Sequence, residues 1–390
     1  MIPYGRHHID EDDIKAVADV LRSGSLTQGP AIELFECAIA NYVGAKYAIA
    51  VSNGTTGLHL AALAAGVGPG NSLITSPITF VASANAALYA GGDPAFADID
   101  ADTINMSPGS LEKILESTQN ARAVVPVHFA GLPCDMPAIK SVADKAGVVV
   151  IEDAAHALGS QYADGQRVGS CAYSHMTVFS FHPVKAIAAG EGGMITTNDE
   201  QTYRRILRLR SHGINKLDDQ FQLPEQAESD GAPNPWYYEM QDLGFNHRIT
   251  DIQCGLALSQ FNKLNRFILR RRELVRKYDE AFARMQNCRP GQTVGRDQSG
   301  HHLYVLRINF DAVGMNRGRL MRELRTRQIG SQVHYIPVPA QPYYRRLGFK
   351  PEDYPNSQDY YREALSIPLY YDLTNDEQNY VIAVVKELVG

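Results

Sequence analysis

The 390 residues are enough for one large domain and a smaller one, each with its own core. A net charge of -6, with 44% hydrophobic and 21% charged residues, fits a soluble globular protein and argues against a nucleic-acid binder, whose footprint is a basic surface. The five cysteines are odd in number, dispersed, and show no CxxC or Cys/His spacing, so neither a disulfide framework nor a metal site is expected. The N-terminus lacks an apolar signal core and no stretch reaches membrane-spanning length, so the expected location is cytoplasmic, without membrane contact.

In chain order, residues 10 to 22 read as a helix capped by Asp10, with Ile14, Val17, Ala18 and Leu21 on one face. From Val43 to about Asp199, short apolar strands alternate with helical stretches. The strands are expected at Tyr47–Val51, Ser72–Ser76, Ala95–Asp98, Ala123–Val127, Val148–Ile151, Met176–Phe181 and Met194–Thr197. Helices are expected at Gly57–Ala65, Ser83–Tyr89 and Met136–Ala146. This alternation indicates an α/β fold whose mostly parallel sheet is covered on both faces. Residues 216 to 235, acidic and aperiodic, read as a surface loop. A long helix follows, with Leu264, Phe267, Ile268, Leu274, Val275, Tyr278 and Phe282 at helical spacing. Beyond it, His301–Phe310 and Gly330–Tyr335 read as strands, and Arg317–Gln328 and Asn375–Leu388 as helices. The expected division is a large domain over 10–250 and a small one over 251–390.

The chemistry concentrates at Lys185. The apolar run Met176–Phe181 ends in a polar turn carrying this one lysine, and Gly190-Glu191-Gly192-Gly193 and a further strand follow directly. A lysine at the mouth of a buried sheet is desolvated, which lowers its pKa and frees the amine to attack a carbonyl. Upstream, Val148-Val149-Val150-Ile151 runs into Glu152-Asp153 at the carboxyl end of a strand, where ligands bind in open α/β sheets. A Schiff-base lysine with an acidic partner for a pyridinium nitrogen is the requirement of a pyridoxal 5'-phosphate (PLP) enzyme. Ser52-Asn53-Gly54-Thr55-Thr56-Gly57 joins a strand to a helix N-terminus; alone it reads as N-capping by Thr55 or Ser52, and beside Lys185 and Asp153 as a phosphate cradle. Phe80 is a candidate for the apolar face that a planar cofactor needs. His156 reads as a packing residue, and His7-His8 and His301-His302 as residues that bind no metal. Arg270-Arg271-Arg272 reads as a solvated basic face of the long helix.

Assembled, these motifs resemble the sugar aminotransferases of the DegT/DnrJ/EryC1/StrS family, which have the aspartate-aminotransferase (type I PLP) fold. The resemblance runs from Ile2-Pro3-Tyr4-Gly5 and Leu26-Thr27-Gln28-Gly29-Pro30 to His334-Tyr335-Ile336-Pro337 and Gln341-Pro342-Tyr343-Tyr344. Residues 235–240 and 243–253 are similar to the pseudaminic-acid branch, which aminates C4 of a UDP-linked 4-keto-6-deoxy-N-acetylhexosamine using L-glutamate. The resemblance implies Lys185 as the Schiff-base lysine, Asp153 as the pyridinium partner and His156 beside the ring oxygen. It implies phosphate contacts from Gly54, Thr55 and Ser180, and Phe80 stacked on the ring. Asn246 would reach the phosphate of a neighbouring subunit's cofactor, implying a homodimer with shared active sites. Tyr4, His182, Arg248 and His334 would face the nucleotide-sugar substrate, with the N-terminal segment 1–9 close by. Where relatives carry Pro-Val-His-Leu-Gln, this chain has Pro337-Val338-Pro339-Ala340-Gln341, and amination at C4 or C3 of a dTDP- or GDP-linked ketosugar is the alternative. A catalytically silent PLP-binding regulator is the alternative of another class; Lys185 itself excludes the family's dehydrases, which carry histidine there.

Overall fold

The structure, a computed structural model, describes residues 1–216 and 221–390. Asp10 caps α1 (Glu11–Arg22) through a reciprocal box with Asp13. Helix α2 (Pro30–Val43) begins at Gly29, which has no side chain to cap it. Asp251, far along the chain, supplies the cap instead, accepting the amides of Gly29 (2.8 Å) and Ala31 (3.0 Å). A Cβ at position 29 would lie 2.7 Å from Asp251 Oδ1, so the Gln28-Gly29-Pro30 motif is the imprint of this contact.

The central sheet follows: β1 (Tyr47–Val51), α3 (Gly54–Ala64), β2 (Ser72–Thr75), α4 (Val81–Tyr89), β3 (Asp93–Phe96), α5 (Pro108–Ser117), β4 (Ala121–Val125), α6 (Met136–Ala146), β5 (Val149–Asp153), β6 (Met176–Ser180), β7 (Gly193–Thr197) and α7 (Glu200–Arg210). Its order is β1-β7-β6-β5-β4-β2-β3, and only β7 runs against its neighbours. The mixed, mostly parallel α/β fold is thus as expected. Alternation along each strand supplies both faces. Ala48, Ala50, Val150 and Phe179 join the layer under α2, α5 and α6; Ile49, Val51, Ile151 and Val178 join the layer under α3, α4 and α7. Because six strands point one way, Asp153 (end of β5), Ser180 (end of β6) and the start of α3 share one sheet edge.

Helix Leu264–Phe282 serves both halves of the chain. Leu264 and Ile268 pack on the first core, while Leu274, Val275, Tyr278 and Phe282 pack with the three-stranded sheet Cys288–Pro290, Tyr304–Ile308 and Ala364–Ile367 and the helix Asn375–Val389. Cys254 and Ala257 also belong to the first core. We therefore propose that the second domain begins within this helix rather than near residue 250.

Three expectations change. The Arg270–Arg272 run is not wholly a solvated face. Arg271 falls at i+3 and i+4 from Ile268 and Phe267, on the apolar stripe, and is only 4% exposed. Gly330–Tyr335 forms no strand. Its backbone makes an isolated bridge, Gln332 to Ser366, and the His334 carbonyl accepts the Tyr360 hydroxyl (2.6 Å) instead of a ladder amide. The expected loop over 216–235, of which residues 217–220 lie outside the described residues, contains a short helix, Pro224–Ala227, and a small β-pair. Glu239 anchors this excursion by accepting the amides of Gln222 and Leu223, the Tyr237 hydroxyl and Gln241 Nε2 (2.7–2.8 Å).

Removing the borrowed cap tests this frame. Asp251→Ala is expected to cost about 1–2 kcal/mol and to lower Tm by a few degrees; an unchanged Tm means that Asp251 does not support α2.

Candidate active site

The loop bearing Lys185 is closed by its own backbone. The Phe181 amide donates to Gly192 O (2.8 Å), the Lys185 amide to His182 O (2.8 Å) and the Ala189 amide to Phe181 O (2.9 Å). Lys185 thereby stays at the sheet edge with part of its surface open. Loss of solvation lowers its pKa from 10.5 to about 8, and the Asp153 charge acts in the opposite sense. About half of the amine is thus unprotonated near pH 8.

Asp153 is buried, and its backbone is fixed on both sides by Pro126 O and the His128 amide. Its carboxylate accepts Ser83 Oγ (2.6 Å) and the Ala155 amide (3.1 Å), and Ser83 in turn contacts Thr79 Oγ1 (2.7 Å). Behind it, the fully buried Glu152 takes His128 Nε2 (2.6 Å), Tyr162 Oη (2.6 Å), Ser174 Oγ (2.5 Å) and Thr177 Oγ1 (3.1 Å). The Cys134 amide occupies His128 Nδ1, which leaves Nε2–H to donate to Glu152. This network braces β5 beneath Asp153.

At the head of α3, Asn53 caps through the Thr56 amide (2.9 Å), leaving the amides of Gly54 and Thr55 outside the cap bond. Thr55 Oγ1 makes no protein hydrogen bond among the described residues, and Ser180 Oγ accepts only the His182 amide (3.4 Å). A Cβ at Gly54 would approach Ser180 Cβ to 3.0 Å, so glycine there lets the helix start and the end of β6 share one mouth. The donors of Gly54, Thr55 and Ser180 fit a phosphate, and Asp153 fits a protonated ring nitrogen.

His156 is buried and its pKa is held well below 6.5 by desolvation and by Lys185. Its Nδ1 accepts the Ala130 amide (3.3 Å), so the neutral ring presents Nε2–H, which meets Tyr335 Oη at 3.2 Å. Burial, then Lys185, pushes His334 down to about 3; its Nδ1 contacts Ser366 Oγ (2.8 Å). Tyr4 stands 5.5 Å from His334, centroid to centroid, because Ile2 and Tyr4 bond the backbone at Gln328, Gly330 and Leu369. Phe80, at the head of α4, is 59% exposed and 6.3 Å from the Tyr335 ring, an uncovered apolar face at the mouth. His182 is exposed. Asn246 is exposed with a side chain that makes no hydrogen bond among the described residues, and Arg248 is partly buried and equally unengaged. Both flank His247, whose carbonyl accepts the Ser52 amide (2.9 Å), placing them beside the α3 mouth.

The sequence assigns no site role to Ser83, Tyr335 or His302. Ser83 lies four residues after Thr79, a spacing that could have pointed to it. His302, read from sequence only as part of a pair that binds no metal, is buried with its ring 4.3 Å from that of His156.

A lysine of lowered pKa, a buried aspartate and donors left free by the α3 cap meet at one sheet edge, an arrangement that fits PLP. The chain belongs to the DegT/DnrJ/EryC1/StrS aminotransferase family, whose model matches residues 7–386. It is 39% identical to the spore coat polysaccharide biosynthesis protein SpsC of Bacillus subtilis, over all of this chain and 97% of that one. Among solved structures, Helicobacter pylori PseC, an aminotransferase involved in the biosynthesis of pseudaminic acid, has TM-score 0.88 and 30% identity, covering 100% of this chain and 99% of that one. The putative sugar aminotransferase Spr1654 of Streptococcus pneumoniae in its PMP form has TM-score 0.89 and 30% identity, again over 100% and 99%. The protein is a PLP-dependent sugar aminotransferase. Among the described residues no helix is long and apolar enough to cross a membrane, and no group of three or more candidate metal ligands occurs.

The lowered lysine pKa is directly measurable. Capture of added cofactor by the apoenzyme is expected to accelerate with pH through a midpoint near 8. Because the Asp153 charge raises the lysine pKa, Asp153→Asn is expected to move that midpoint down. A midpoint near 10.5 in the unaltered protein would show that Lys185 is solvated.

Proposed function

We propose that the chain transfers the amino group of L-glutamate to C4 of a UDP-linked 4-keto-6-deoxy-N-acetylhexosamine. The carrying observation is the desolvated Lys185 under the charge of Asp153, at the edge where Gly54, Thr55 and Ser180 leave donors free. When bound, PLP supplies the electron sink for this exchange. Lys185, with its lowered pKa, would remove the proton from the donor's α-carbon as the donor becomes 2-oxoglutarate and, in the second half of the exchange, deliver a proton to C4 of the sugar. Asp153 holds the ring nitrogen's proton by its charge. His156 presents Nε2–H to the ring oxygen, and Phe80 covers a ring face. Gly54, Thr55 and Ser180 hold the phosphate.

The sugar pocket is assigned to Tyr4, His182, Arg248 and His334. Arg248 carries no carboxylate partner among the described residues, so its charge is available for a diphosphate. The likeness to PseC supports the UDP-sugar branch, and that to SpsC supports a product destined for a glycan. The loop Val338–Ala340, where relatives have a histidine, is tied by the Val338 amide to Pro77 O (2.9 Å), three residues before Phe80. This loop therefore bears on the sugar chosen. Asn246 is assigned to a partner subunit's phosphate in a homodimer. Its unengaged amide and the exposed Trp236, Met240 and Leu243 on the same stretch support that assignment.

Purified enzyme given L-glutamate is expected to release 2-oxoglutarate and then aminate a UDP-linked 4-keto sugar in preference to dTDP- and GDP-linked ones. Lys185→Ala is expected to lower turnover at least ~1,000-fold. Preference for a dTDP- or GDP-sugar would refute the substrate assignment, and turnover surviving without Lys185 would refute the chemistry.

A further inference from the structure

Asp153 has no cationic partner in contact with it. Its carboxylate accepts two neutral donors, Ser83 Oγ at Oδ2 (2.6 Å) and the Ala155 amide at Oδ1 (3.1 Å), and it forms no ion pair among the described residues. A lysine or arginine bonded at Oδ2 would cancel the charge that a ring nitrogen's proton needs. A hydroxyl supports that charge and leaves it intact.

Ser83 does not act alone. A serine hydroxyl has one hydrogen and an ionised carboxylate can only accept, so that hydrogen belongs to Asp153. Thr79 Oγ1, 2.7 Å from Ser83 Oγ, must then donate to it, which gives the chain one direction, from Thr79 to Ser83 to Asp153. Both hydroxyls are buried, where such a chain is polarised and stronger than in water. The chain is built into the start of α4. Phe80, the N-cap residue, has no side-chain cap bond, and its carbonyl accepts the Ser83 amide (3.3 Å). Thr79 and Ser83 are thus buried against Asp153 while Phe80, between them, turns its ring to the mouth with 59% exposed. One turn of chain holds both the carboxylate and the apolar face.

We propose that Ser83, backed by Thr79, is a positioning residue for the amino transfer: it fixes the Asp153 carboxylate as a charged acceptor, so that the proton stays on the ring nitrogen. The proposal rests on Asp153 being that nitrogen's partner. Without the Ser83 hydroxyl, Oδ2 is free to turn and to compete for the proton, and the ring loses part of its power to accept electrons.

The test reads the NMR shift of the ring nitrogen in holoenzyme loaded with PLP that is isotope-labelled at that atom, before any substrate is added. The rate of the glutamate half-reaction is read separately. Ser83→Ala, which deletes one oxygen and adds no bulk, is expected to move the shift toward the unprotonated ring and to slow the half-reaction roughly 10-fold or more. Thr79→Val keeps the shape of the outer residue and removes its hydroxyl; it is expected to move the shift in the same direction by a smaller amount. An unmoved shift in Ser83→Ala, whatever its rate, overturns the proposal, because a packing role would slow the reaction and leave the nitrogen unchanged. Asp153→Asn separates this failure from that of the underlying reading. A shift that moves in Asp153→Asn but not in Ser83→Ala keeps Asp153 as the partner and removes Ser83. A shift unmoved in Asp153→Asn refutes the partner, and the proposal falls with it.

Discussion

Everything at this site depends on how far Lys185 is withdrawn from water while Asp153 pulls its charge back. Either influence alone would give the wrong amine. Full solvation keeps the lysine protonated at neutral pH, and desolvation without an acid nearby would leave it neutral and poorly able to return a proton. The balance is set by backbone rather than by side-chain chance. The turn from His182 to Gly192 closes on Phe181, and Asp153 is fixed by bonds to Pro126 and His128 with the Glu152 network behind it. The first core therefore positions the chemistry: the apolar strands place the ends of β5 and β6 side by side, β5 ending in Asp153 and β6 in Ser180, from which the turn to Lys185 starts.

The same edge explains the spacing of the other parts. Parallel strands connected by helices put their strand-to-helix turns on one side, so Ser52–Gly57, Phe80 and Asp153 come to one edge although about 100 residues separate the first from the last. The C-terminal half contributes from the opposite direction. Tyr335 reaches His156, and His334 carries Tyr4 with it through the N-terminal segment. Part of the candidate sugar pocket thus comes from the N-terminal segment, held by backbone bonds at Gln328, Gly330 and Leu369.

Much of this was legible in the sequence because it follows local rules. Strand runs such as Tyr47–Val51 have the period and composition of buried strands, and Lys185 and Asp153 sit directly after such runs. That the 52–57 turn starts a capped helix was legible, but the cap is Asn53 and not Thr55 or Ser52. What was hidden depends on partners far away in sequence. Arg271 looked like its neighbours in a basic run, and only the helical phase of Phe267 and Ile268 places it inside. The Asp251 cap on α2, the Ser83 bond to Asp153 and the tilted contact of His302 with His156 join segments 70 to 222 residues apart, which no pattern within one segment encodes. Gly330–Tyr335 read as a strand because its composition suits one. Side chains take bonds that a ladder would use: the Tyr360 hydroxyl at His334 O and Gln332 Oε1 at the Val333 amide.

The central claim is that Lys185, and no other amine, carries the cofactor. Borohydride reduction of the PLP-loaded enzyme followed by peptide mass mapping tests it directly. The account requires one reduced pyridoxyl adduct, on the peptide containing Lys185. An adduct on a different lysine, or none on a protein that retains the cofactor's colour, would contradict it.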